Sequence, residues 1–194
     1  MKEMNGKEVV IIAGPSASGK SYLLKQLLTK KKNKFKDKVY RQLDIDPRKS
    51  RSCIAIGALT KQKTKHEHSR KLKKDLIFIH FDTTSRRQNK KKRLLLSITK
   101  DCKSVKVLTL HTSFEIWRTR MQKRIESSPN KIPLNKAAEI YNLSRYIHIV
   151  AKMRYNLAYK RWAEFIKDID LKGQLNVNNE EIPFKDKRRK KLTK

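Results

Sequence analysis

Gly14, Gly19, Lys20 and Ser21 stand in the octapeptide GPSASGKS at the spacing G-x-x-x-x-G-K-S. Each fixed position has a chemical reason. Gly14 and Gly19 permit backbone angles that turn successive amide N–H groups inward as a nest for an anion. A helix beginning at Lys20 adds the positive end of its dipole at the same place. The Lys20 ammonium reaches the β- and γ-phosphates of a nucleoside triphosphate, and the Ser21 hydroxyl ligates the Mg2+ ion that bridges them. Ser16, Ala17 and Ser18 complete the ring of amides, so this stretch is expected to take ATP.

Such a loop works with an acid at the end of a neighbouring strand, which holds Mg2+ directly or through water. LIFIHFD ends in Asp82, at the C-terminal end of a strand, where open α/β sheets place their ligands. Alone, a strand-end Asp is often just a turn former; beside this loop it reads as the metal-side acid. Arg118, Arg120 and Arg124 recur along the basic segment WRTRMQKR. Planar cations of this kind suit the charge that spreads over a phosphoryl group in transfer, although an exposed helix face would carry them too. No N-K-x-D segment of the kind that reads guanine in switch GTPases is present. The pattern therefore points to a kinase.

These side chains need elements to hold them. Glu8 to Ala13 is a short β-branched run ending at Gly-Pro, too brief for a helix, and predicts a buried strand. Leu23, Leu24, Leu27 and Leu28 recur at helical spacing within residues 20–30. Residues 38–46, KVYRQLDID, read as a second strand stopped by Pro47, and residues 75–82 and 105–110 as further strands. Between these last two, Leu94, Leu95, Ile98 and Cys102 share a helical face. Strands alternating with helices predict an α/β fold of the P-loop NTPase kind, three layers α/β/α around a mainly parallel sheet.

The last third is a helical C-terminal extension. Phe114 to Ile125 reads as a basic helix, and residues 134–169 as a long amphipathic segment packed through Ile140, Leu143, Ile147, Val150, Leu157 and Phe165. Tyr141, Tyr155, Tyr159 and Trp162 could stack bases, but at this spacing aromatic side chains more often fill a core. GQLNVNN (173–179) leaves a late strand open. Residues 1–184 are expected to form a single domain, and KDKRRKKLTK (185–194) a disordered basic tail.

Fifty Lys and Arg against 18 Asp and Glu give the 194-residue chain a formal charge of +32. A charge of this size repels itself unless a polyanion or counterions sit on it, which makes a nucleic acid, RNA or DNA, the expected partner. Cys53 and Cys102 are far apart, with no CxxC spacing, so neither a disulfide framework nor a zinc site is signalled. With no apolar run long enough to span a bilayer and no secretion signal, the chain is expected to be soluble and cytoplasmic, with no membrane partner.

Taken in order, GPSASGKS, LDIDPR (43–48), FDTTSRR (81–87), WRTRMQKR (117–124) and NKIPLNKAAEIY (130–141) resemble the phage polynucleotide kinase group, whose relatives include zeta-type toxins and kinases acting on aminoacylated tRNA. The resemblance covers about residues 8 to 145. It implies that Asp44 or Asp46 is the general base toward an acceptor hydroxyl, with Arg48 near the acceptor. It also implies that Arg124, supported by Arg120, clamps the transferring phosphate, and that Asp82 and Thr84 match the third-strand motif, followed by basic Arg86 and Arg87. Ser85 stands where that family carries Asn. Without the resemblance, Asp44 and Asp46 read equally as a strand-end turn before Pro47.

The octapeptide is also similar to that of guanylate kinases, but the interval where their guanine-reading residues would follow is Lys-rich here. Three functions are therefore expected, in order: an ATP- and Mg2+-dependent kinase of a hydroxyl on a nucleic-acid end or nucleotide, a small-molecule kinase of nucleoside monophosphates, and a non-catalytic nucleic-acid-binding protein that keeps the loop.

Overall fold

The protein is described from a computed structural model, which covers residues 6–31, 33–56, 73–83, 88–126 and 145–182. Strand β1 (Glu8–Gly14) is buried along its whole length, as expected of a β-branched run at the centre of a sheet. It pairs in parallel with β3 (Leu76–Asp82) on one side and β4 (Ser104–His111) on the other. Strand β2 (Arg51–Ala55) lies outside β3, and β5 (Gly173–Asn178) outside β4, giving the order β2-β3-β1-β4-β5 with every pairing parallel. The late strand left open by the sequence is thus present.

Successive side chains of β1 point to opposite faces, and each face has its own helical cover. Val10 and Ile12 pack with Leu23 and Leu27 of α1 (Lys20–Leu28) and with Val39 and Tyr40 of α2 (Lys34–Gln42). Val9, Ile11 and Ala13 pack with Leu95 and Ile98 of α3 (Gln88–Thr99) and with Trp162 and Phe165 of α5 (Arg145–Phe165). The result is the three-layer α/β/α arrangement of a P-loop NTPase. Helix α4 (Phe114–Glu126) follows β4 and joins α5 in a smaller cluster of Phe114, Trp117, Met121 and Tyr155. No helix among the described residues is long and apolar enough to cross a membrane.

Two sequence expectations need correction. Residues 38–46 are not a strand: 38–42 complete helix α2, and the second strand starts only at Arg51. The Asn33 side chain caps α2 by accepting from the amides of Phe35 and Lys36. Lys36, Val39, Tyr40 and Leu43 are then buried at i, i+3, i+4 and i+7, so the β-branched and aromatic residues in this stretch serve a helical face. Asp44, at φ 50°, turns the chain out of the helix. In α5, the packed face is aromatic. Tyr155, Trp162 and Phe165 are buried, whereas Leu157 is 40% exposed. Tyr141, Ile140, Leu143 and the 185–194 tail lie outside the described residues.

At the N-terminal edge of the sheet, Glu8 is buried between the ammonium groups of Lys106 and Lys49, and Lys106 also donates to the Asp44 carbonyl. Burial alone would raise the Glu8 carboxyl, but the hydrogen bonds and charges of Lys106 and Lys49 outweigh it and hold the group below its ordinary value. A carboxyl depressed in the folded state stabilises fully above its unfolded pKa, and that contribution is lost as pH falls through the folded value. Urea unfolding of Glu8→Gln at pH 7 is expected to show a loss of about 3–5 kcal/mol, the range for stranding a buried charge. In wild type this contribution should hold at neutral pH and fade below about pH 4.5, the ordinary Glu value; a loss within 1 kcal/mol would contradict it.

Candidate phosphate-binding site

The chain leaves β1 at Gly14 and enters α1 at Lys20, and the loop between them is shaped by contacts no bulkier residue would allow. A Cβ on Gly14 would lie 2.9 Å from Ser18 Oγ and 3.0 Å from the Leu110 carbonyl. Gly19 caps α1 at φ 104°, and a Cβ there would meet Asn179 Oδ1 at 2.8 Å. Ala17 holds a left-handed conformation, φ 61°, uncommon for a residue with a Cβ.

The loop's carbonyl groups are tied outward by neighbouring elements. Trp117 Nε1 on α4 donates to the Ser16 carbonyl at 2.7 Å. The Ser18 carbonyl accepts from Thr112 Oγ1, just beyond β4, and from Arg120 Nη1 on α4, each at 3.2 Å. In a trans peptide the N–H points opposite to the C=O. Holding the oxygens of Ser16 and Ser18 toward α4 therefore turns the amides of Ala17 and Gly19 the other way. The Ser18 amide closes the turn onto the Pro15 carbonyl. Lys20 is buried, and its ammonium donates to the Gly14 carbonyl at 2.8 Å and to that of Pro15. A cation, a helix N-terminus and directed amides meet in one small volume, a donor set suited to phosphate.

The supports have supports of their own. Tyr155 donates to the Thr112 carbonyl at 2.6 Å, and Tyr159 to that of Leu110 at 2.9 Å. Trp162 Nε1 donates to Thr109 Oγ1 at 2.9 Å. Burial pushes both tyrosine hydroxyls upward, so they stay neutral donors. Tyr155 also packs on Trp117, ring centroids 4.7 Å apart. The aromatic residues of α5 are therefore core, holding the end of β4 and, through it, the loop.

Register places Asp82 opposite Gly14, partly buried, and Ser21 is exposed on the first turn of α1. His80, two residues earlier on β3, is pushed down to about 4 by burial and then by the Lys20 ammonium, and so is neutral at pH 7. Among the described residues no three His, Cys, Asp or Glu side chains gather as a metal cluster. Mg2+ binds through one or two protein oxygens and substrate phosphates; Ser21 and Asp82 are the side chains here that could hold it.

Of the residues singled out in the sequence, the structure brings Gly14, Ser16, Ala17, Ser18, Gly19, Lys20, Ser21, Asp82 and Arg120 to one end of the sheet. Arg124 lies farther along α4. Asp44, Asp46 and Arg48 are not among them. Because α2 replaces the expected strand, they fall in the turn leading into β2, where Arg51 pairs with Leu76 at the start of β3. This is the edge opposite the loop, and there Arg48 pairs with Asp46, Nε to Oδ1 3.2 Å. None of the three therefore lies beside the phosphate loop. Thr84, Arg86 and Arg87 lie outside the described residues. Thr112, Trp117 and Asn179 carry no sequence signal of this role: Trp117 stands among the arginines of WRTRMQKR, and no local motif marks the other two.

Residues 9–141 match a family described as an AAA domain. The chain belongs to that P-loop, kinase-like family. No curated protein matches it.

Trp117→Phe keeps the ring against Tyr155 but removes the donor to Ser16. It is expected to cost about 1 kcal/mol of stability by thermal unfolding, the usual net worth of one hydrogen bond. A similar share should be lost from nucleotide binding, about fivefold in Kd for a fluorescent ATP analogue. Unchanged affinity would show that the tether does not orient the loop.

Proposed function

Taking that family membership as the starting point, we propose that the chain is an ATP- and Mg2+-dependent phosphotransferase whose acceptor is a hydroxyl on a nucleic-acid end or a nucleotide. The observation that carries the reading is the outward tethering of the Ser16 and Ser18 carbonyls, with Lys20 buried inside the loop they shape. The loop amides and Lys20 take the β- and γ-phosphates. Ser21 and Asp82 hold Mg2+, which when bound neutralises charge shared by the phosphates. Arg120 holds the loop through the Ser18 carbonyl, and Arg124, on the same helix, is the cation assigned to the charge that builds up during transfer. The acceptor-side proton is not assigned to Asp44 or Asp46.

The charge of +32 supports a polyanionic acceptor, since neutralising several phosphates at once releases their counterions. Transfer from γ-labelled ATP to a 5′-hydroxyl oligonucleotide, run beside a panel of mononucleotides, tests the acceptor. Label is expected on the oligonucleotide, with Lys20→Ala and Asp82→Asn each lowering the rate at least about 100-fold, the scale for removing one electrostatic contact in a transition state. Label on a mononucleotide alone would move the acceptor to small molecules. No transfer to any acceptor, with ATP bound, would leave a non-catalytic binder.

A further inference from the structure

Helix α2 and the turn into β2 build a second cationic feature at the far edge of the sheet. Residues 25–51 hold eleven Lys and Arg against three Asp. Lys36 is buried, and its ammonium donates to the Thr29 carbonyl at 2.8 Å while lying 5.5 Å from the centre of the Tyr40 ring. The Arg51 guanidinium lies 5.5 Å from the same ring, donates to the Tyr40 hydroxyl at 2.9 Å and reaches the same carbonyl at 3.5 Å. Two like charges thus converge on one carbonyl at the end of α1, and among the described residues no carboxylate pairs with either. Burial, and then Arg51, hold Lys36 below its ordinary value.

Beside this pair runs a groove of about 470 Å3, lined by Leu28, Lys30, Pro47, Arg48, Lys49, Arg51 and the hydroxyl-bearing Ser50 and Ser52. Four of its lining residues are cations and none is acidic. Lys49 is committed to Glu8, whereas Arg48 makes only an exposed pair with Asp46, worth little and replaceable by a phosphate; Lys30 and Arg51 have no acid partner among the described residues. Concentrating like charge in this way costs folding energy unless an anion offsets it. Ammonium and guanidinium groups with serine hydroxyls are the side chains that hold phosphate oxygens.

We propose that this groove binds the phosphodiester backbone of a nucleic-acid strand, as a docking surface separate from the phosphate loop. It deepens the proposed function by saying where the polyanion is held, and it rests on that reading only for the identity of the acceptor. The groove lies at the N-terminal ends of the strands and the loop at their C-terminal ends. Seven residues of β1 at roughly 3.3 Å each separate the two by about 20 Å. At the roughly 3.4 Å rise of a stacked strand, one touching both would cover about six nucleotides.

The test is binding of a fluorescent 20-nucleotide single strand, without ATP, measured by anisotropy across a salt series. Lys30→Gln with Arg48→Gln removes two exposed groove charges, and Arg154→Gln with Lys160→Gln removes two exposed charges from α5 on the other face of the sheet. Circular dichroism checks that both fold. Loss of two phosphate contacts should lower the slope of log K against log salt by about 1.4 and weaken binding roughly 25-fold at 0.1 M salt. The α5 pair should stay within about twofold of wild type. Equal losses from both pairs, or none from the groove pair, would overturn the site, as would wild-type binding to anionic phospholipid vesicles but not to the oligonucleotide. Calorimetry of wild type with Mg-ATP separates the two claims. A protein that binds the strand in the groove but takes up no ATP keeps the groove and loses the kinase reading, and the reverse result loses the groove alone.

Discussion

Two carbonyl oxygens, those of Ser16 and Ser18, decide which way the phosphate loop faces. Left to themselves, peptide groups in a short loop bond to water or to one another, and a ring of inward amides would be one arrangement among many. Here an indole, a hydroxyl and a guanidinium fix these oxygens on the α4 side. The planarity of the peptide then turns the next amides away from that side. Gly14 and Gly19 make room for this geometry, since a side-chain carbon at either would meet an atom within 3.0 Å. The anion site is thus made by residues a hundred positions downstream as much as by the loop itself.

That dependence explains the design of the C-terminal half. Helix α4 can hold the loop only if its own position is fixed, and the aromatic residues of α5 fix it by packing Tyr155 on Trp117 and bonding to the end of β4 at Leu110 and Thr112. Strand β5 extends the sheet and delivers Asn179 against Gly19. At the other end, buried Glu8 and Lys106 with half-buried Lys49 tie the starts of β1 and β4 to the turn before β2. A parallel sheet has two unlike edges, and the protein uses one for directed amides and the other for buried charge and exposed cations.

Where a local pattern carries its own geometry, the sequence was a good guide. The phosphate loop, the strand before it, the helix after it and the strand ending in Asp82 all depend on spacing within a few residues, and all stand where expected. Residues 38–46 differ from the expected strand because Val39, Tyr40 and Leu43 suit a strand by type but a helix by spacing, and the capping Asn33 stands five residues before them. That single difference carries Asp44, Asp46 and Arg48 to the other end of the sheet. Trp117 and Thr112 were illegible for a different reason: their function is a hydrogen bond to a carbonyl about a hundred residues away, and no pattern in one sequence records such a bond.

The central claim is that these tethered carbonyls leave the amides of the loop directed at a polyphosphate. Backbone amide resonances of 15N-labelled protein, followed as Mg-ATP is added, test this residue by residue. The account predicts that the signals of Ala17, Gly19 and Lys20 shift and saturate together, with the Trp117 indole signal following them. Saturating Mg-ATP that leaves these amides unmoved, or that moves only the signals around Lys30 and Arg51, would contradict it.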